Sequence, residues 1–155
     1  METMVINRSK WVSAPCDDNC AYKGDSMLLN ENGNMCCLGF LSLKRGLKKK
    51  EIDGCCSPKD VVSEHVLHRK AHPTFPLDGS VYKEEIERLS KKLGDMLGKK
   101  TTSNSRWCNQ AMRINDDCRL TLEEIEKKLI VHFKKIDINL KFVGKYGIKK
   151  EEEED

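Results

Sequence analysis

The chain has 155 residues, 28 basic and 25 acidic, so its formal net charge is only +3. That length suits one domain able to bury a core without metal or disulfides. The near balance of charge lacks the strongly basic signature of a dedicated nucleic-acid binder, and no run of 18 apolar residues exists to cross a membrane.

The opening "METMVINRSKW" has no apolar export core, so a cytoplasmic location is expected. Eight cysteines follow: Cys16, Cys20, Cys36, Cys37, Cys55, Cys56, Cys108 and Cys118. In a reducing compartment they read as thiols, not as a disulfide framework.

Val5, Ile6, Trp11 and Val12 mark a first strand or short helix, and "APCDDNCAYKGDS" reads as a polar loop. "SMLLN" reads as a strand, and "NENGN" as a reversal at Asn32-Gly33, since both residue types tolerate positive φ. The next element, "MCCLGFLSLKRG", is apolar nearly all round, the mark of a buried helix. There Cys36 and Cys37 act as small hydrophobes. Gly39 lets a neighbouring backbone come close, and Gly46 suits the position just past the helix.

"SPKD" at 57–60 opens a short helix with Ser57 as cap and Pro58 at the first position. "AHPTFPLDGS" is a loop. The spacing of Val81, Ile86, Leu89, Leu93 and Leu97 predicts a helix over 81–97, with i,i+4 pairs Glu84-Arg88 and Glu87-Lys91. A helix over 105–114 carries Trp107, Ala111 and Ile114 on one side. "TLEE" is a capping box, Thr121 with Glu124, opening a helix whose stripe is Leu122, Ile125, Leu129, His132 and Phe133. "DINLKFV" alternates through Ile138, Leu140 and Phe142, a strand with one buried side.

Two charge clusters stand out. Lys44, Arg45, Lys48, Lys49 and Lys50 form a basic tract, and Glu151 to Asp155 are all acidic. Like charges with nothing apolar to bury predict a solvated, disordered tail over 149–155. The tract is either a solvated helix end, its cations suiting the negative pole of the dipole, or a contact for an anionic ligand. It lacks the interleaved aromatics of a single-strand binder.

Four chemistries come within reach of these residue types. Zinc could draw on Cys55, Cys56, His65, His68 and His72, or on the Cys16/Cys20 pair, but the spacing matches no finger, and a polar histidine-bearing helix end explains it equally. An EF-hand laid on "NDDCRLTLEEIE" places Asn115, Asp117 and Glu126 correctly but puts Arg119 and Leu120 where an oxygen ligand and Gly belong. A nucleophilic Cys36 or Cys37 needs a base, and His132, on an apolar helix face, reads as a core histidine. There is no phosphate-binding Gly loop.

The order "NRSKW … LLNENGNMCCLGF … NQAMRINDD … LTLEEIEKKLIVHF … INLKFV" resembles a family of small bacteriophage, prophage and bacterial proteins. The resemblance rests on Trp11, Leu28, Leu29, Gly33, Met35, Cys36, Cys37, Leu38, Gly39, Asn115, Asp116 and Asp117, and omits about 63–100 and the tail. It implies a phage-linked bacterial cytosol and action by binding host machinery. It supplies no catalytic residues.

The expectation is therefore one α+β domain over 1–148, a small antiparallel sheet against four to five helices. Its expected function is an accessory binding protein that inhibits host defence or regulation by occupying a host protein or sequestering an anionic, nucleotide-like signal. Lys44, Arg45, Lys48, Lys49, Lys50, Asn115, Asp116 and Asp117 are the candidate contacts, with no cofactor and no membrane. A small cysteine- or zinc-dependent enzyme and a nucleic-acid binder are the alternatives, and homo-oligomerisation is left open.

Overall fold

The computed structural model describes residues 1–13, 23–58, 60–61, 84, 87–88, 91–92, 94 and 104–146. Strand β1 (Glu2–Asn7) turns Met4 and Ile6 inward and Val5 outward, as a period of two requires. Helix α1 (Cys37–Lys44) and the single turn α2 (Lys49–Ile52) follow, then α3 (Asn104–Asn115), α4 (Leu122–Lys134) and strand β2 (Ile138–Val143).

β1 and β2 pair in parallel, in register from Glu2 opposite Ile138 to Asn7 opposite Val143. The expected antiparallel sheet is thus corrected. Alternation marks a strand and its buried face but carries no direction. Direction is set by the turn after α4, where Asp137 takes a positive φ of 60° and its carbonyl accepts from the Glu2 amide at 3.2 Å. β2 therefore starts beside the start of β1 and runs the same way. The expected strand "SMLLN" is also corrected. Leu29 makes one isolated bridge, to Asp53, and β1 is the only strand of the described N-terminal third.

α1 is the central helix expected. Cys37, Leu38, Gly39, Leu41 and Ser42 are buried, and only the side of Phe40, Leu43 and Lys44 reaches water. It ends at Gly46, φ +92°, where the Leu47 amide reaches back to the Ser42 carbonyl at 3.0 Å. A Cβ built on Gly39 would stand 1.9 Å from the Leu28 carbonyl oxygen, so the backbone contact anticipated for this glycine is real.

α4 buries Leu122, Ile125, Leu129, His132 and Phe133 as its spacing predicts, and the Thr121 hydroxyl accepts from the Glu124 amide at 3.3 Å. α3 buries Trp107, Cys108, Ala111 and Asn115, while Ile114 is only half-buried. The expected stripe was one position off because Asn115, a polar residue, takes the inward place. Of the 81–97 helix, the described positions Glu84, Glu87, Arg88, Lys91, Lys92 and Gly94 are helical. Its apolar stripe lies outside the described residues, as do His65, His68, His72 and the tail over 149–155.

Candidate anion-binding groove

The loop that joins α3 to α4 carries Asn115, Asp116 and Asp117. Asn115 is fully buried. Its Oδ1 accepts from the Trp11 indole at 2.8 Å and from the Cys37 amide at 3.2 Å. Its Nδ2 donates to the Val12 carbonyl at 3.0 Å, to Ser26 Oγ at 3.2 Å and to Asp116 Oδ1 at 2.8 Å. The side chain has no capacity left for a ligand. Asn115 is a structural tie between the N-terminal segment, the first turn of α1 and the end of α3. It is not a contact residue.

Asp116 and Asp117 differ. Asp116 accepts from Ser26 Oγ at 2.5 Å, yet desolvation outweighs the Ser26 and Asn115 hydrogen bonds and holds its carboxyl above the ordinary carboxylate range. Asp117 accepts twice from Arg119, at 3.0 Å to Nε and 3.0 Å to Nη2, and from the Arg119 amide at 3.0 Å. These bonds lower its pKa to about 2. Both oxygens are spoken for, and Glu126, the last position of the EF-hand alignment, is turned to Arg8 at 2.7 Å and Tyr146 at 2.6 Å. The calcium reading fails on geometry as well as on sequence.

Beside this loop, α3 and α4 enclose an open groove of ≈ 710 Å³. Arg113, Arg119, Lys128 and Lys135 line it, against only two carboxylates, Asp116 and Asp117. Arg113, Lys128 and Lys135 are exposed and make no salt bridge among the described residues. The sequence reading missed them because they are spread along two helices instead of clustered. The signal was there. Lys128 and Lys135 stand seven residues apart, which is two turns on one face, and flank His132.

His132 itself is a core residue. It is 2% exposed and stacks on Trp107 with ring centroids 4.6 Å apart. Its Nε2–H donates to the Trp107 carbonyl at 3.0 Å, and the Trp107 indole donates to the His132 carbonyl at 3.2 Å. Burial lowers the pKa of the imidazole more than the Trp107 bond raises it, so the neutral ring is favoured at neutral pH.

The basic tract is split by the fold. Lys44 and Arg45 close α1 and face Glu2, at 3.8 Å and 2.5 Å. Lys48 precedes the single turn α2 as its N-cap, and Lys49 and Lys50 lie within that turn. The structure therefore does not gather the five cations into one pocket. Two of them, Lys44 and Arg45, neutralise Glu2, while Lys48, Lys49 and Lys50 stand exposed around α2, where the Lys48 backbone amide, not its ammonium, donates to Glu51 at 2.9 Å. Glu51 is buried. Desolvation raises its carboxyl, but bonds from Arg88, at 2.5 Å, and from Lys48 prevail and lower it.

The twin cysteines are filler. Cys36 and Cys37 are 3% and 0% exposed. Desolvation pushes the Cys36 thiol up to about 12 and raises Cys37 further from the neutral range. Cys108 is held up to about 11 for the same reason. None is a thiolate at neutral pH, so none is primed as a nucleophile. Cys55 is buried and Cys56 exposed, and the histidines that would complete a zinc set lie outside the described residues. Among the described residues, no three metal-binding side chains converge, and no helix is long and apolar enough to cross a membrane.

No family model, no curated protein and no solved structure matches the chain.

Proposed function

We propose that the protein acts by binding, and that the α3–α4 groove takes an anionic, nucleotide-like molecule. The observation that carries this is the charge imbalance of the groove. Arg113, Lys128 and Lys135 line a shared opening, are exposed and make no salt bridge among the described residues, though Lys128 helps to lower Asp117 at its edge, and the ≈ 710 Å³ lies in the range of small-molecule sites. The planar Arg forks suit phosphate oxygens, and the lysines add unoriented charge. This reading keeps the sequence-based expectation of an accessory protein that sequesters an anionic signal or occupies a host protein. It moves the contact from residues 44–50 to Arg113, Lys128 and Lys135, Arg119 being held by Asp117.

The test is equilibrium dialysis of the purified protein against ATP and a cyclic dinucleotide at 50 mM and 300 mM salt. Binding at low salt is expected to weaken at least tenfold in the variant carrying Arg113→Ala, Lys128→Ala and Lys135→Ala, with its melting temperature unchanged. The variant replacing Lys48, Lys49 and Lys50 by Ala is expected to bind as the parent does. Absence of binding to either probe, or loss only in the second variant, sinks the proposal.

A further inference from the structure

Tyr146 is the last described residue, and it is held on three sides. Its hydroxyl donates to Glu126 at 2.6 Å, the Arg8 guanidinium stands 5.7 Å from its ring centre, and the Trp11 ring lies 6.3 Å away. Glu126 belongs to α4, so the sequence after Tyr146 sets out from beside the first half of that helix.

The outer face of α4 is ordered by charge. Glu123 and Glu124 come first, then Lys127 and Lys128, then Lys134 and Lys135, all exposed, with Val131 61% exposed between the lysines. Lys127 faces Glu123 at 3.3 Å, while Lys128, Lys134 and Lys135 make no salt bridge among the described residues. The sequence after Tyr146 has the opposite order, Lys149 and Lys150 first and then Glu151 to Asp155. Laid on α4 from its first turn toward its last, the two lysines meet Glu123 and Glu124, and the acids meet Lys128, Lys134 and Lys135. Laid the other way, like charges meet at both ends.

The lengths agree. From Tyr146 to Glu151 is five residues, about 18 Å when fully extended, and to Asp155 nine, about 32 Å. Glu126 to Lys135 is about 13 Å along the helix axis, and half-way round a helix about 11 Å wide is about 17 Å. The diagonal of these two, about 22 Å, is within reach of the acids and beyond that of Lys149 and Lys150.

We infer that residues 149–155 dock along the outer face of α4, Lys149 and Lys150 beside Glu123 and Glu124, and Glu151 to Asp155 beside Lys128, Lys134 and Lys135. Each exposed ion pair is weak and screened by salt. The tether at Tyr146 makes the contact intramolecular, which raises the local concentration of the acids. Lys128 and Lys135 also line the α3–α4 groove, so the docked acids compete there with a bound anion. That autoinhibitory consequence rests on the groove reading, and the docking itself does not.

The test compares the 15N-labelled full chain with a variant carrying Glu151→Gln, Glu152→Gln, Glu153→Gln, Glu154→Gln and Asp155→Asn. At 50 mM salt the amide shifts of Lys128, Val131, Lys134 and Lys135 are expected to differ between the two, and at 300 mM salt to coincide. Lys134→Glu with Lys135→Glu, both at exposed positions, is expected to remove the difference without moving the melting temperature. No difference at 50 mM salt, or one confined to residues 44–50, overturns the docking. ATP is expected to bind the neutralised variant about threefold more tightly than the parent at 50 mM salt. Equal binding to both overturns the competition. ATP bound by neither protein refutes the groove reading, and the amide shifts still decide the docking.

Discussion

Gly39→Ala separates two physical arguments that disagree in sign. Gly39 lies inside α1, and by helix propensity Ala there stabilises by about 1 kcal/mol. Packing says the reverse. The new Cβ would stand 1.9 Å from the Leu28 carbonyl oxygen and 2.8 Å from Met35 Cβ, against ordinary contacts beyond 3.4 Å. The near obstacle is backbone, not the far end of a flexible side chain, so relief requires α1 to move off the 27–30 segment. That segment is pinned, since the Leu28 amide donates to the Cys55 carbonyl at 2.9 Å and the Cys36 amide to the Met27 carbonyl at 2.8 Å. Overpacking of this kind costs about 3 kcal/mol, at the upper end of its range. Less the propensity gain, the net loss is about 2 kcal/mol. For a chain of this size that is a fall of about 4–8 °C in melting temperature, or about 1 M in the urea midpoint at an m-value of about 2 kcal/mol/M. Gly33→Ala is the control. Gly33 has φ +80° and nothing within 4 Å of a built Cβ, so only backbone conformation opposes the change, at about 1 kcal/mol. A Gly39→Ala protein that melts at or above the parent temperature would refute the packing argument.

Asn115→Ala strands the Trp11 indole and the Cys37 amide without an acceptor, and calorimetry should show about 3 kcal/mol lost; Asn115→Asp, which keeps the acceptor but loses the donor to Val12, should also destabilise. Iodoacetamide at neutral pH, read by mass spectrometry, should label Cys56 and Cys118 within minutes and leave Cys36 and Cys37 untouched until urea unfolds the chain; fast native labelling at either buried thiol would refute the filler role. His132 is lowered from 6.5 on folding, so its contribution is full above about pH 6.5 and is lost as pH falls through the lowered folded value. Stability should therefore drop on acidification below pH 6.5. His132→Gln, which cannot charge, should flatten that slope even if its baseline is lower.

The helices, the core and the buried cysteines were legible because each is a local or periodic property. α4 could be written from Thr121, Glu124 and a 3.6-residue stripe, and α1 from its lack of any polar face. What was not legible is relational. Strand direction depends on where the Asp137 turn delivers β2, which no alternation records. The groove cations Arg113 and Lys128 sit on different helices, and the tract at 44–50, conspicuous in sequence, is dispersed between Glu2 and the first turn of α2. A run of charge in sequence and a focus of charge in space are different objects, and only the second can hold a ligand.

Most of the short motifs around Trp11, residues 28–39 and Asn115-Asp116 meet one another in space, and this bears on what such a pattern means. Trp11 and Cys37 both donate to Asn115, Gly39 lies against Leu28, the Cys36 amide holds Met27, and the Met35 amide donates to the Lys10 carbonyl at 2.8 Å while Met35 bridges Trp11. Asp116 completes the set through Ser26 and Asn115. Each is needed where it is for a packing or hydrogen-bonding reason already given. A motif made of mutually satisfied buried groups specifies how a chain folds, since its donors and acceptors are consumed internally. Chemistry toward a partner must come from groups left over. In this molecule the leftovers are the exposed cations of the α3–α4 groove, and none belongs to the motif.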